Sequence, residues 1–285
     1  MTANLENTGR TTAQNAQLAL LLEVSSTPKP GNVDREREYP ELRFEQFLAG
    51  AVGTHAGFAA VADGDPLGPA FERAIAGMSH QTGGNTQFGA TLLLTPLVAA
   101  AGGGELRPDR ASAAVEETTV DDAVAFYRAF EYVDVAVPEP PEGMDALDVR
   151  RGGDAEPALR ESGLTLEDVM SRSADRDGIA AELTGGFGWT FELARVIERG
   201  EGSVTDRAAA AYLALLSREL DTFVVTNHDR ETAYEVRRRA NEVLDGEESV
   251  YRFAEDLVDR GINPGTTADI VAGGLFVALE RGLEV

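Results

Sequence analysis

TTAQNAQLALLLEVSSTPKPG, residues 11–31, decides the fold class. Its alanines and leucines are strong helix formers and a polar, Thr-rich start precedes them, which predicts a helix over 11–24. Two prolines and a glycine in TPKPG forbid its continuation and fix an extended or turning backbone from Thr27 to Gly31. Further along, Phe44, Phe47, Leu48 and Val52 recur at helical spacing, as do Val120, Val124, Tyr127 and Phe130, and both sets are expected to be core faces. Thr119 with Asp122, Thr165 with Asp168, Ser203 with Asp206 and Thr266 with Asp269 have the hydroxyl-x-x-acid form of a helix start. Sustained period-two alternation is scarce, and FVV at 223–225 is too short to separate a strand from a buried helix end. The predicted class is all-α. The 285 residues, 43% hydrophobic and 26% charged, suffice for a single compact multi-helix domain over 1–285. VPEPPEGMDALDVRRGGDAEPAL (137–159) departs from this texture, and its Pro, Gly and charge predict a long exposed loop, either a lid or an insertion.

Acidic residues number 49 against 25 basic ones, a formal charge of −24 that repels itself strongly at low ionic strength. Every basic residue except Lys29 is arginine, whose guanidinium is more weakly hydrated than an ammonium. Together these features read as adaptation to a salt-rich cytoplasm. So acidic a surface argues against nucleic acid and anionic lipid as partners and for small molecules, while a homo-oligomer stays open. The absence of cysteine excludes disulfides and thiolate chemistry, and His55, His80 and His228 are too few for a histidine-rich metal site. MTANLENTGR at the start lacks a basic region followed by an apolar stretch. The most apolar window, Phe88–Ala101, is too short to span a bilayer and is interrupted by Pro96. A cytoplasmic location is expected.

Four constellations could carry chemistry. In EVSSTPKPGNVD (23–34) a rigid turn holds the only lysine of the chain between acids, which suits a phosphate-binding point charge; the plain alternative is an ordinary exposed turn. GGNTQFG (83–89) opens an apolar helix and offers free backbone N–H groups to a phosphate, or it merely allows tight helix packing. The third is Glu219-Leu-Asp221-Thr222 with Asn227 and His228, and the fourth is NPGTTAD (263–269); their hard oxygen donors suit Mg²⁺. Asp269 has a rival role, completing a helix cap with Thr266. His55 is expected to be a satisfied core histidine, Asp34–Glu38 a solvated face, and Phe187, Trp189 and Phe191 core residues before they are an adenine platform.

In this order, TPKPGNVD (27–34), NTQFG (85–89), DT (221–222) and NPGTTAD (263–269) resemble the motifs of the triphosphoribosyl-dephospho-CoA synthase family across nearly the whole chain. The sequence departs from the family at Gln87, where the motif has His, at REREYPELRFEQF (35–47), which lacks the usual Gly-x-His-x-Asp-Met, and at Thr226–Asp229, where glycines follow the DT element. The resemblance implies an all-α fold and transfer of the ribosyl triphosphate of ATP to the 2′-hydroxyl of 3′-dephospho-CoA, with loss of adenine and with Mg²⁺. Expelling adenine from C1′ makes an oxocarbenium-like centre that carboxylates can stabilise or serve as bases. The resemblance implies Lys29, Asp34, Asp221 and Asp269 as catalytic residues. Thr27, Lys29, Gly31, Asn85, Thr86, Gly89, Gly265 and Thr266 would bind nucleotide, and Glu23, Asp34, Asp221 and Asp269 would hold metal. The rival activities are hydrolysis of a nucleotide or N-glycoside, ribosyl triphosphate transfer to a different cofactor precursor, and nucleotide binding without catalysis.

Overall fold

The computed structural model describes residues 9–140 and 144–285. Its α-helices are α1 (Thr12–Ser25), α2 (Phe44–Gly53), α3 (His55–Ala62), α4 (Leu67–Met78), α5 (Phe88–Gly102), α6 (Pro108–Glu116), α7 (Val120–Ala129) and α8 (Glu156–Ser162). They continue with α9 (Leu166–Ser173), α10 (Gly178–Thr184), α11 (Gly188–Arg199), α12 (Val204–Leu216), α13 (Thr222–Asn227), α14 (Arg230–Leu244), α15 (Val250–Asp259) and α16 (Gly265–Glu280). Among the described residues there is no strand, only one isolated bridge between Tyr39 and Leu42. The fold is all-α.

The opening helix forms as its sequence predicts. Thr11 accepts from the Gln14 backbone while the Gln14 side chain returns to the Thr11 backbone, and the chain leaves the helix at Ser26, just before the prolines. Thr119/Asp122, Thr165/Asp168 and Ser203/Asp206 form the same reciprocal cap at the starts of α7, α9 and α12. Thr266/Asp269 does not. Helix α16 begins after Pro264 without a side-chain cap, which leaves both residues inside its first turns and the Asp269 carboxylate available for another role.

Helices α5 and α16 are apolar on almost every face, a pattern that places a helix in the centre of a packed structure. Helix α16 lies against α1, α5, α11 and α12, and α5 also meets α3, α4 and α6. One continuous cluster of buried side chains runs from Ala13 to Leu279. The expected core faces are only partly buried: Phe47, Val124 and Tyr127 face inward, whereas Val52 is 61% exposed at the end of α2. FVV at 223–225 is helical, within α13, and His55 is exposed rather than a core residue. The 137–159 stretch is more ordered than a loop: helical turns at Asp145–Leu147 and Val149–Ala155 lead into α8, with Ala155 and Leu159 fully buried. Residues 141–143 of that stretch lie outside the described residues. Among the described residues no helix is long and apolar enough to cross a membrane.

Candidate active site

The TPKPGNVD segment folds into a buried brace. Lys29 is 0% exposed, and its Nζ donates to the Glu23 carboxylate and to Asn32 Oδ1 at 2.8 Å. Asn32 Nδ2 in turn donates to Asn263 Oδ1 at 2.9 Å, which ties this brace to the NPGTTAD segment. Asp34, 1% exposed, accepts from Thr27 Oγ1 (2.8 Å) and from the backbone N–H groups of Lys29, Glu36 and Arg37. It is the internal cap of the turn and no part of a solvated face. Gly31 has φ +76°, and a Cβ there would lie 2.2 Å from the Ile262 carbonyl oxygen, so the turn requires glycine for backbone reasons. Burial pushes the Glu23 carboxyl up from its usual range, Lys29 pulls it down and the charge of Asp34 adds to the rise. The expected phosphate-binding lysine is therefore enclosed and already paired.

Asp221 is likewise an organiser. Its Oδ1 accepts from Val224 N–H at the start of α13, and its Oδ2 from the Thr267 N–H (2.7 Å) and hydroxyl (2.8 Å) of α16. Thr222 Oγ1 and Thr266 Oγ1 lie 3.0 Å apart, and the Gly178 N–H donates to Thr222 at 2.9 Å, so the starts of α10, α13 and α16 meet at one hydroxyl junction.

Beside this junction opens a pocket of about 190 Å³. Its polar wall comes from the starts of α5, α10 and α16, which supply Asn85, Gly89, Asp177, Thr266 and Asp269. Its apolar wall includes Phe88, Phe126 and Phe130, where the Phe88 and Phe130 rings meet edge to face with centroids 4.8 Å apart. Val135–Pro140 and Leu147–Val149 close another side, so the stretch read as an exposed loop is a pocket wall. Burial pushes the Asp269 carboxyl well above the usual carboxylate range; Glu23, Asp221 and Asp177 add to the rise, and the nearby Ala90 N–H opposes it. Asp177 is raised by burial against two N–H groups, from Ile179 and Ala180, which both bond its Oδ1 at 2.9 Å. The α5 backbone approaches so closely that a Cβ on Gly89 would fall 2.1 Å from Asp269 Oδ2.

Of the expected site residues, Asn85, Gly89, Thr266 and Asp269 line this pocket. Asn85 also shapes the start of α5 by accepting from the Phe88 N–H at 3.0 Å. Thr86 turns its hydroxyl toward Gly50 of α2, and Gln87 is buried with its Nε2 on the Leu20 carbonyl. Gly265 packs against the Phe223 ring, and Thr27 serves Asp34. The expected metal set of Glu23, Asp34, Asp221 and Asp269 does not assemble: among the described residues no three acidic or histidine side chains converge on a common point. The hard oxygens facing the pocket from Asp269 and Asp177 fit a Mg²⁺ held mostly by phosphates with one or two carboxylates. Asp177, Arg172, Arg176 and the Phe126/Phe130 wall escape the sequence reading. Only the four-residue separation of the two arginines beside an Asp-Gly turn hinted at them. Trp189 is half-buried on a neighbouring concavity, whereas Phe187 and Phe191 are core.

The model of a family described as ATP:dephospho-CoA triphosphoribosyl transferase matches residues 9–284. The fold is similar to a crystal structure described as a triphosphoribosyl-dephospho-CoA synthase from Archaeoglobus fulgidus, at 25% identity and a TM-score of 0.68, covering 82% of this chain and 99% of that one. No curated protein sequence matches.

Proposed function

The chain belongs to the ATP:dephospho-CoA triphosphoribosyl transferase family and is a transferase carrying the ribosyl triphosphate of ATP to dephospho-CoA, and from that premise we propose that the reaction takes place in the Asp269 pocket. The observation that carries this reading is the Asp269 carboxyl lining the pocket at the point where α5 and α16 begin, raised by burial and by neighbouring charge more strongly than its neighbour Asp177. A carboxylate facing the pocket, its proton affinity raised by burial, is suited to take the proton of the incoming 2′-hydroxyl as that oxygen attacks C1′ of the ATP ribose. The C1′–N bond breaks with its electron pair leaving on adenine, and the negative charges around Asp269 favour the cationic sugar. Asn85 and Thr266 orient the ribose, and the starts of α5 and α16 turn their positive dipole ends into the pocket. Mg²⁺, when bound with the triphosphate beside Asp177, would supply charge neutralisation. The acidic, arginine-biased composition supports a salt-rich cytoplasmic setting.

The test is chromatography of free adenine after incubating the protein with ATP and Mg²⁺ in concentrated KCl, with and without dephospho-CoA. Adenine formed only with dephospho-CoA is expected. Adenine formed equally without it would make the protein a hydrolase, and none in either case would leave it a binding protein or assign it another acceptor.

A further inference from the structure

Because Lys29 is enclosed, the phosphates of the substrates must meet other cations. The cationic side chains lining the Asp269 pocket are Arg172, in the last turn of α9, and Arg176, in the turn that follows it. Two acids near them are already neutralised by a third arginine. Arg150 grips the Glu139 carboxylate with two bonds of 2.8 Å and the Asp148 carboxylate with bonds of 2.7 to 2.9 Å. Arg176 Nη1 donates to the Glu139 carbonyl oxygen at 3.2 Å. Its remaining N–H groups, and all those of Arg172, take part in no salt bridge among the described residues. Both arginines are exposed, whereas Asp177 and Asp269 lie deeper. The pocket therefore carries its cations at the mouth and its carboxylates toward the floor.

Resting on the transferase reading, we infer that Arg172 and Arg176 are substrate-binding residues that hold a nucleotide phosphate chain at the pocket mouth and so direct the sugar end inward to Asp269. Their planar forks of donors match phosphate oxygens, and binding there breaks no salt bridge among the described residues, although Arg172 also lies in the field of Asp168. ATP and dephospho-CoA both carry such a chain, so the shared ligand is phosphate and the experiment distinguishes the source.

Calorimetric titration of ATP with Mg²⁺, and separately of dephospho-CoA, into the parent protein, Arg172→Gln, Arg176→Gln and Arg172→Lys tests this directly. Arg172→Gln is expected to weaken one ligand by about tenfold or more, with Lys restoring part of the loss. Weakened ATP binding assigns the arginines to the triphosphate, and weakened dephospho-CoA binding alone assigns them to the acceptor diphosphate. Affinities for both ligands unchanged in Arg172→Gln would overturn the inference, as would a parent that binds neither. Adenine release followed in the same samples separates the two claims: a parent that binds but releases no adenine removes the transferase reading, while weakened binding by Arg172→Gln keeps the phosphate assignment. The Arg172 side chain makes no hydrogen bond among the described residues, so its variant should melt with the parent; Arg176→Gln also loses the Glu139 contact and serves as the second case.

Discussion

Lys29 departs from the role that residue chemistry first suggests for it, and Asp269 takes the site position rather than the rival role of helix cap. A lone lysine between prolines reads as a phosphate ligand, yet its ammonium is buried against Glu23 and Asn32. An acid three places after Thr266 reads either as a hard-oxygen donor or as a cap, and it faces a pocket without forming the cap. Sequence spacing could flag both positions, but their surroundings depend on residues more than 200 places apart, such as Asn32 and Asn263, and only the folded chain brings these together. Lys29→Met leaves Glu23 buried without its counter-charge, and the predicted cost in chemical denaturation is about 3–5 kcal/mol. Combining it with Glu23→Met should recover most of that loss, since a buried pair replaced by apolar residues is close to neutral. Asp269 gives a signed pH prediction. Its folded-state pKa is raised, so its contribution to stability is fully present below the unfolded carboxyl value near about 4 and is lost as pH rises through the folded value. Asp269→Asn is therefore expected to melt above the parent at neutral pH, and melts repeated toward about pH 4 should show the advantage vanish. An advantage that grows in acid would place the raised carboxyl elsewhere.

Helix starts were the legible part of the elements. Three of the four hydroxyl-x-x-acid patterns form reciprocal caps, because a cap is closed within four residues and needs nothing from the rest of the chain. The fourth, at α16, yields to tertiary contacts: Thr266 is taken by Thr222 and the Phe223 N–H, and Asp269 by the approach of α5. The 137–159 stretch was illegible for a related reason, since its short helical turns are held by contacts such as Tyr127 Oη to the Leu147 carbonyl at 2.7 Å rather than by local propensity. The α5–α16 approach carries its own prediction. Gly89→Ala puts a methyl where Asp269 Oδ2 now sits, forcing the two helix starts apart. Turnover is expected to fall by roughly 10²-fold, the usual scale for a misplacement of about 1 Å, with helical content by circular dichroism unchanged. Parent-like turnover would show that the close approach is not needed.

For the molecule as a whole, the all-α class and the family were readable because apolar periodicity and four ordered motifs survive without structural context. The pocket was readable only on its polar side, where the NTQFG and NPGTTAD motifs supply Asn85, Gly89, Thr266 and Asp269; its other walls, such as Phe126, Val135–Pro140 and Arg172–Asp177, lie in segments that carry no motif. The net charge of −24 acts at this scale too. Raising KCl from about 0.1 M to about 1 M shortens the Debye length from about 10 Å to about 3 Å, and scanning calorimetry should record a rising melting temperature over that range. A flat response would remove salt adaptation from the account. The central claim is that transfer occurs at Asp269, and the most direct measurement is adenine release from ATP by Asp269→Asn beside the parent, with Mg²⁺ and dephospho-CoA in concentrated KCl. The account predicts a folded variant whose rate is lower by roughly 10²–10⁴-fold; a folded variant releasing adenine at the parent's rate would contradict it.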